Sequence, residues 1–177
     1  MKVILAGKAS SGKDHLARFL VEKGLVKSIS FTTRPPRNNE KNGIDYNFTD
    51  KETFEQMISN DEFHEYELFN NNWYYGSTKK DLEKSNLFIK TPIGISKIPK
   101  HIRDIFYVIY IDIDEKTRRN RLIKRADIAD SLERRLAADE KDFINFEDYD
   151  LRITDPNFNS NEIFKKINNL INDSIEC

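Results

Sequence analysis

Residues 7–14 read GKASSGKD. Gly7, Gly12 and Lys13 fit a G-x-x-x-x-G-K phosphate loop. In such a loop, successive main-chain N–H groups and a helix N-terminus cradle an anion, and the lysine follows a phosphoryl group. The pattern normally ends in Ser or Thr, whose hydroxyl holds magnesium, but Asp14 stands there instead. A carboxylate is a hard oxygen ligand, so Asp14 is expected to hold Mg2+ directly or through water. The alternative role is to steady the first helical turn through its dipole. Lys8, Ala9, Ser10 and Ser11 fill the loop, and His15 follows it.

Further along, SISFTTRPPRNNEKNGIDYNF spans residues 28–48. Arg34 and Arg37 flank a Pro35-Pro36 pair that stiffens the chain, and each guanidinium presents a planar fork to a phosphate. Tyr46 and Tyr75 are able to donate hydroxyls to the same group. Residues 116–135, KTRRNRLIKRADIADSLERR, carry many positive charges, as a lid closing over a transferring phosphoryl group requires. His15, His64 and His101 show no metal-ligand spacing and are expected on the surface or in loops, and Trp73 in a local core.

Together with Glu65 in EFHEY and YYGST from Tyr74, the 28–48 stretch closely resembles the guanylate kinase family. That family's pattern runs S-x-S-x-T-T-R-x-P-R-x-x-E-x-x-G-x-D-Y-x-F, then F-x-E, then Y-Y-G-[ST]. Asn39 replaces its usual glycine before Glu40. The resemblance covers most of the chain and implies transfer of the γ-phosphate of ATP to GMP or dGMP with Mg2+. It implies an ATP site at Gly7, Lys8, Ala9, Ser10, Ser11, Gly12, Lys13, Asp14 and His15. It places the acceptor phosphate on Arg34, Arg37, Tyr46 and Tyr75, with Glu40 orienting the arginines. Glu65 would accept the adjacent N1–H and N2 donors of guanine, an edge adenine lacks, while Ser30 and Ser77 would donate to O6. Lys13, Arg37, Arg125 and Arg135 would act on the transferring group. Arg121 also aligns with the family, whereas Arg118, Arg119 and Arg134 are expected on a solvated helix face.

The resemblance fails at one place. The family carries L-D-I-D at the end of its next strand, serving the guanine pocket and the metal. Here the segment reads LFIKTPIG, so Ile89 and Thr91 replace the two acids, and Thr91 is carried over only as a pocket residue. The IDID ending at Asp114 lies one strand later, where Asp114 reads as a helix N-cap. These departures keep three alternatives open: a ribose 1,5-bisphosphate phosphokinase, a kinase for another (modified) deoxynucleoside monophosphate, and a peptide-binding guanylate-kinase-like module. The intact Gly12-Lys13 argues against the last, and the complete arginine, glutamate and tyrosine set argues against the first.

The elements that must position these residues follow the hydrophobic pattern. Short apolar runs at residues 3–6, 26–30, 87–89, 106–111 and 151–153 read as strands. Helical spacing follows the loop up to Gly24 and recurs over 115–125, 128–143 and 161–175. Aromatic and polar residues interleave over 32–84, which reads as short, mostly antiparallel strands around an Asn70–Asn72 turn. The expected fold is α/β, a P-loop kinase fold whose parallel sheet has helices on both faces. Its 177 residues form one domain with a core (1–31, 85–115 and 136–177), a small mixed-strand monophosphate-binding insertion (32–84) and an arginine-rich helical lid (116–135).

Composition excludes several classes. Net charge is −1, against a dedicated nucleic-acid binder, and acids interrupt the basic lid. The longest apolar run falls far short of the roughly 20 residues a membrane helix needs. The one cysteine is Cys177, so no internal disulfide forms. The expected protein is cytoplasmic, a monomer or homodimer, with small-molecule nucleotides as its partners.

Overall fold

The computed structural model describes residues 1–37, 40–69, 71–124 and 132–173, apart from the side chains of 134, 135, 172 and 173. In chain order the elements are β1 (Lys2–Gly7), α1 (Lys13–Glu22), β2 (Phe31–Thr32), β3 (Asn47–Phe48), α2 (Lys51–Ser59), β4 (Phe63–Phe69), β5 (Trp73–Thr78) and α3 (Lys79–Lys84). Then come β6 (Leu87–Ile89), α4 (Pro92–Ser96), α5 (Lys100–Arg103), β7 (Phe106–Ile111), α6 (Glu115–Lys124), α7 (Leu132–Phe143), β8 (Leu151–Ile153) and α8 (Ser160–Asp173).

Four strands form a parallel sheet in the order β6-β1-β7-β8. β1 is apolar on both faces because both are covered, as parallel sheets require. Val3 and Leu5 point with Ile109 and Ile111 toward Leu16 and Leu20 of α1 and Ile163 and Ile167 of α8. Ile4 and Ala6 point the other way with Val108 and Tyr110, toward Ile95 of α4 and Phe143 of α7. Each fully buried Val, Leu, Ile or Phe side chain among these contributes about 1.5–3 kcal/mol of transfer free energy.

A second, mixed sheet runs β3-β2-β5-β4 and contains the β4–β5 hairpin, whose turn holds Asn71 at φ 53°. Phe54 of α2 stacks between Phe63 and Tyr74 and closes this sheet's own small core. Helix α2 did not show as a helix in the aromatic-rich pattern, because Phe54 is its only buried residue. Its signal was Asp50, which accepts from Thr53 N–H at 2.7 Å as N-cap.

One expected strand is corrected. Residues 26–30 form only an isolated bridge, Lys27 to Leu87, beside β6. Val26 is exposed, so the run has no apolar face to bury, and the strand proper starts at Phe31 in the other sheet. The anticipated helix over 128–143 is described only as α7, residues 128–131 lying outside the described residues, as do 174–175 of the terminal helix.

Candidate functional site

The phosphate loop connects the buried end of β1 to the start of α1. Gly7 is demanded by close approach: a Cβ there would lie 2.6 Å from Ser11 Oγ and 2.8 Å from Ile111 O. Gly12 turns the chain into the helix at φ 110°, a backbone that favours glycine. Among the described residues Lys13 makes one weak hydrogen bond, to Lys8 O at 3.4 Å, which leaves its ammonium available. Asp14 and His15 are exposed in the first turn of α1.

Two features here were not visible in the sequence. Asp139 of α7 accepts from the Ala9 N–H at 2.8 Å, so a carboxylate already sits on one loop donor. Burial holds the Asp139 carboxyl above its ordinary range, opposed by that N–H and by the charge of Lys13. Arg118, expected on a solvated face, is instead fully buried: it donates to Ile113 O, to Asp139 at 3.2 Å and to Glu140 at 2.9 Å. Three carbon segments and a planar fork let it reach both acids from inside, which its place in an arginine run did not reveal. Arg119 does lie at the surface, paired with Glu115 and Glu133. Arg121 donates to the loop carbonyls of Ser10 and Ser11 at 3.2 and 3.1 Å and to Pro156 O at 2.7 Å. Arg125 lies outside the described residues; Arg135 lies on α7 with its side chain not described. Asp114 caps α6 through Thr117 N–H at 2.8 Å, as read from the sequence.

The arginine–tyrosine set converges. Arg34 is buried, with Nε donating to Tyr75 OH at 3.1 Å, Nη1 to Pro35 O at 2.7 Å and Nη2 to both Glu40 oxygens at 2.9 Å. Its guanidinium lies over the rings of Tyr46 and Phe48. Glu40 also accepts the Arg37 main-chain N–H at 2.8 Å, leaving the Arg37 guanidinium half-exposed. Glu40 thus fixes one arginine rigidly and positions its neighbour. Burial, then the adjacent Tyr75, pushes the Tyr46 phenol up to about 12, so it stays a donor at neutral pH.

The predicted base pocket lies on β4 and β5. Glu65 and Ser77 are buried, and the hydroxyls of Ser30 and Ser77 are 3.0 Å apart. A lysine with no counterpart in the expected set faces them. Lys90, at the end of β6, donates to Glu65 Oε1 and to Ser77 Oγ, forming a buried ion pair between the two sheets. Its signal was a lone lysine ending an apolar strand run. Thr91 caps α4, accepting from Gly94 N–H at 3.0 Å, and donates to Glu67 Oε1 at 2.9 Å. His64, expected at the surface, is buried on β4 beside Phe88; burial, then the charges of Lys90 and Lys2, lower it to about 3, so it is neutral.

Loop, arginine set and pocket share one cleft of about 250 Å³. Lys13, Arg37, Tyr46, Glu65, Thr91 and Asp139 all line it. Asp14 lines the adjoining recess with Lys13, Arg37 and Glu40. Among the described residues no group of three His, Cys, Asp or Glu is placed to hold a metal alone. Magnesium normally keeps waters and shares one or two carboxylates with substrate phosphates, so a single Asp14 beside the loop fits that ion.

The sequence model of the guanylate kinase family matches residues 1–174. A guanylate kinase of Anaplasma phagocytophilum is 33% identical over 181 aligned residues, covering 96% of this chain and 84% of its own length. One from Clostridium perfringens strain 13 is 30% identical, covering 93% and 79%. One from Bacteroides fragilis strain ATCC 25285 is 35% identical, covering 78% and 72%. The crystal structure of guanylate kinase from Anaplasma phagocytophilum superposes with a TM-score of 0.71 at 28% identity, covering 98% of this chain and 85% of that one.

Proposed function

This chain belongs to the guanylate kinase family, whose members are ATP-dependent nucleoside monophosphate kinases, and we propose from that premise that it phosphorylates GMP or dGMP. The observation that carries the reading is the shared cleft, where Lys13, Arg37, Tyr46 and Glu65 face one space. In this reading the loop N–H groups of residues 7–13 hold the ATP phosphates. Arg34, Arg37, Tyr46 and Tyr75 hold the acceptor phosphate, with Glu40 fixing the arginines. Glu65, Ser30, Ser77 and Thr91 bound the base. Phosphoryl transfer needs positioning and charge neutralisation rather than covalent chemistry, which is the part assigned to Lys13, Arg37, Arg125 and Arg135. Magnesium, held from the protein side by Asp14, would supply charge neutralisation at the phosphates. Residues 32–84 serve as the monophosphate-binding insertion and 116–135 as the lid of a cytoplasmic monomer or homodimer.

A different base is the second reading, favoured by Lys90, whose ammonium already engages one oxygen of Glu65. One assay separates them: ATP-dependent turnover of GMP, dGMP, AMP, dTMP, dCMP, a modified deoxypyrimidine monophosphate and ribose 1,5-bisphosphate, at several magnesium concentrations. Turnover confined to guanine nucleotides is expected; turnover of another acceptor with guanine nucleotides inert overturns the first reading. In the same assay Asp14→Ala should raise the magnesium requirement, and an unchanged titration removes Asp14 from the metal.

A further inference from the structure

Glu67 is a buried carboxylate with no role in the set above. It follows Glu65 by two residues on β4, so both side chains emerge on the same face, while Tyr66 between them is exposed. Glu67 is 8% exposed. Its Oε1 accepts from the Thr91 hydroxyl, and its Oε2 is buried with no hydrogen-bond partner among the described residues. It lines the same cleft as Glu65 and Lys90. A buried carboxylate oxygen left unpaired costs about 1–3 kcal/mol, so its persistence on a cleft wall points to a donor that arrives with a ligand.

Guanine brings two such donors, the ring N1–H and the 2-amino group. Glu65 does not have both oxygens free to receive them, because Lys90 donates to Oε1. We infer that the two donors are divided: Glu65 accepts N1–H through its other oxygen, and Glu67 Oε2 accepts the 2-amino group. Thr91 then positions Glu67 through Oε1, and the carboxylate absent from the end of β6 is supplied from β4. Lys90, with three N–H groups and two of them engaged, keeps one to offer a base carbonyl. The arrangement selects a purine carrying a 6-oxo and a 2-amino group.

This inference rests on the guanine-nucleotide reading and is tested so that the two fail separately. GMP and IMP differ only in the 2-amino group. The full-length chain and its Glu67→Gln variant are assayed for kcat/KM with each. The GMP-over-IMP preference should fall about tenfold in Glu67→Gln, the loss of one good base contact. A preference unchanged while the unaltered chain turns over GMP overturns the inference alone, since a structural role would affect both nucleotides equally. Inertness of the unaltered chain toward GMP and dGMP overturns both readings. If Glu67→Gln does not fold, Glu67→Asp, which withdraws the carboxylate by one methylene, takes its place with the same expected loss and the same overturning result.

Discussion

The phosphate loop between β1 and α1 offers its ligand main-chain N–H groups and one nearly unattached lysine. The cleft wall made by β4, β5 and the end of β6 offers side chains already tied to one another. In the loop, Lys13 holds only a 3.4 Å hydrogen bond among the described residues. In the wall, Lys90 is bonded to both Glu65 and Ser77, and Thr91 and Glu67 are bonded beside them. The first keeps a positive charge free at the cleft surface. The second pairs its charges with each other and leaves a few oriented atoms facing the cleft. Function and stability should therefore separate at the loop and coincide at the wall.

The strongest break would come from Lys90→Met. Removing one partner leaves Glu65 as an uncompensated buried charge, and a cost of about 3–5 kcal/mol in urea unfolding is expected. Adding Glu65→Gln should restore most of it. A single-variant loss below about 1 kcal/mol would mean that the wall is not held by this pair.

The opposite signature is expected of Lys13→Met, which should lower kcat by about 10²–10³-fold, as for loss of one preorganised electrostatic group. Its unfolding free energy should stay within about 0.5 kcal/mol of the parent, as for a surface side chain. A matching drop in stability would erase the contrast between the two regions.

The smallest effect is pH dependence at the wall. Burial, and then the neighbouring Glu65, hold the Glu67 carboxyl above its ordinary 4.5, against the Thr91 hydrogen bond. The folded state therefore binds this proton more tightly than the unfolded chain. Stability conferred by the protonated form is present at low pH and declines as pH rises from the ordinary value through the raised folded one. Glu67→Gln should flatten the stability profile in that window. Urea midpoints collected from pH about 4 to 7 check it, and an unchanged slope would mean that Glu67 titrates normally.

The same contrast explains what was legible in the sequence. The loop is written in eight consecutive residues, because backbone geometry needs glycine at fixed offsets. The parallel strands were legible because both faces are apolar. The wall is written as pairs far apart in the chain: Lys90 lies 25 residues from Glu65, and Thr91 lies 24 from Glu67. A sequence shows each partner as an isolated polar residue, and only the approach of the β6–α4 corner to β4 joins them. Arg118 and His64 were misplaced for the same reason, since burial of a polar side chain depends on elements that its neighbours do not reveal. Val26 and Ile29 give residues 26–30 the look of a strand, although Val26 faces solvent.

The buried ion pair also has a mechanical meaning. Glu65 belongs to the second sheet and Lys90 to the end of a strand in the first, with both side chains almost wholly removed from water. Pulling the sheets straight apart would bare two charges in a poorly polarisable interior, whereas rotating one about the other leaves the contact intact. The pair is thus a rivet rather than a spring: it permits swing and resists separation.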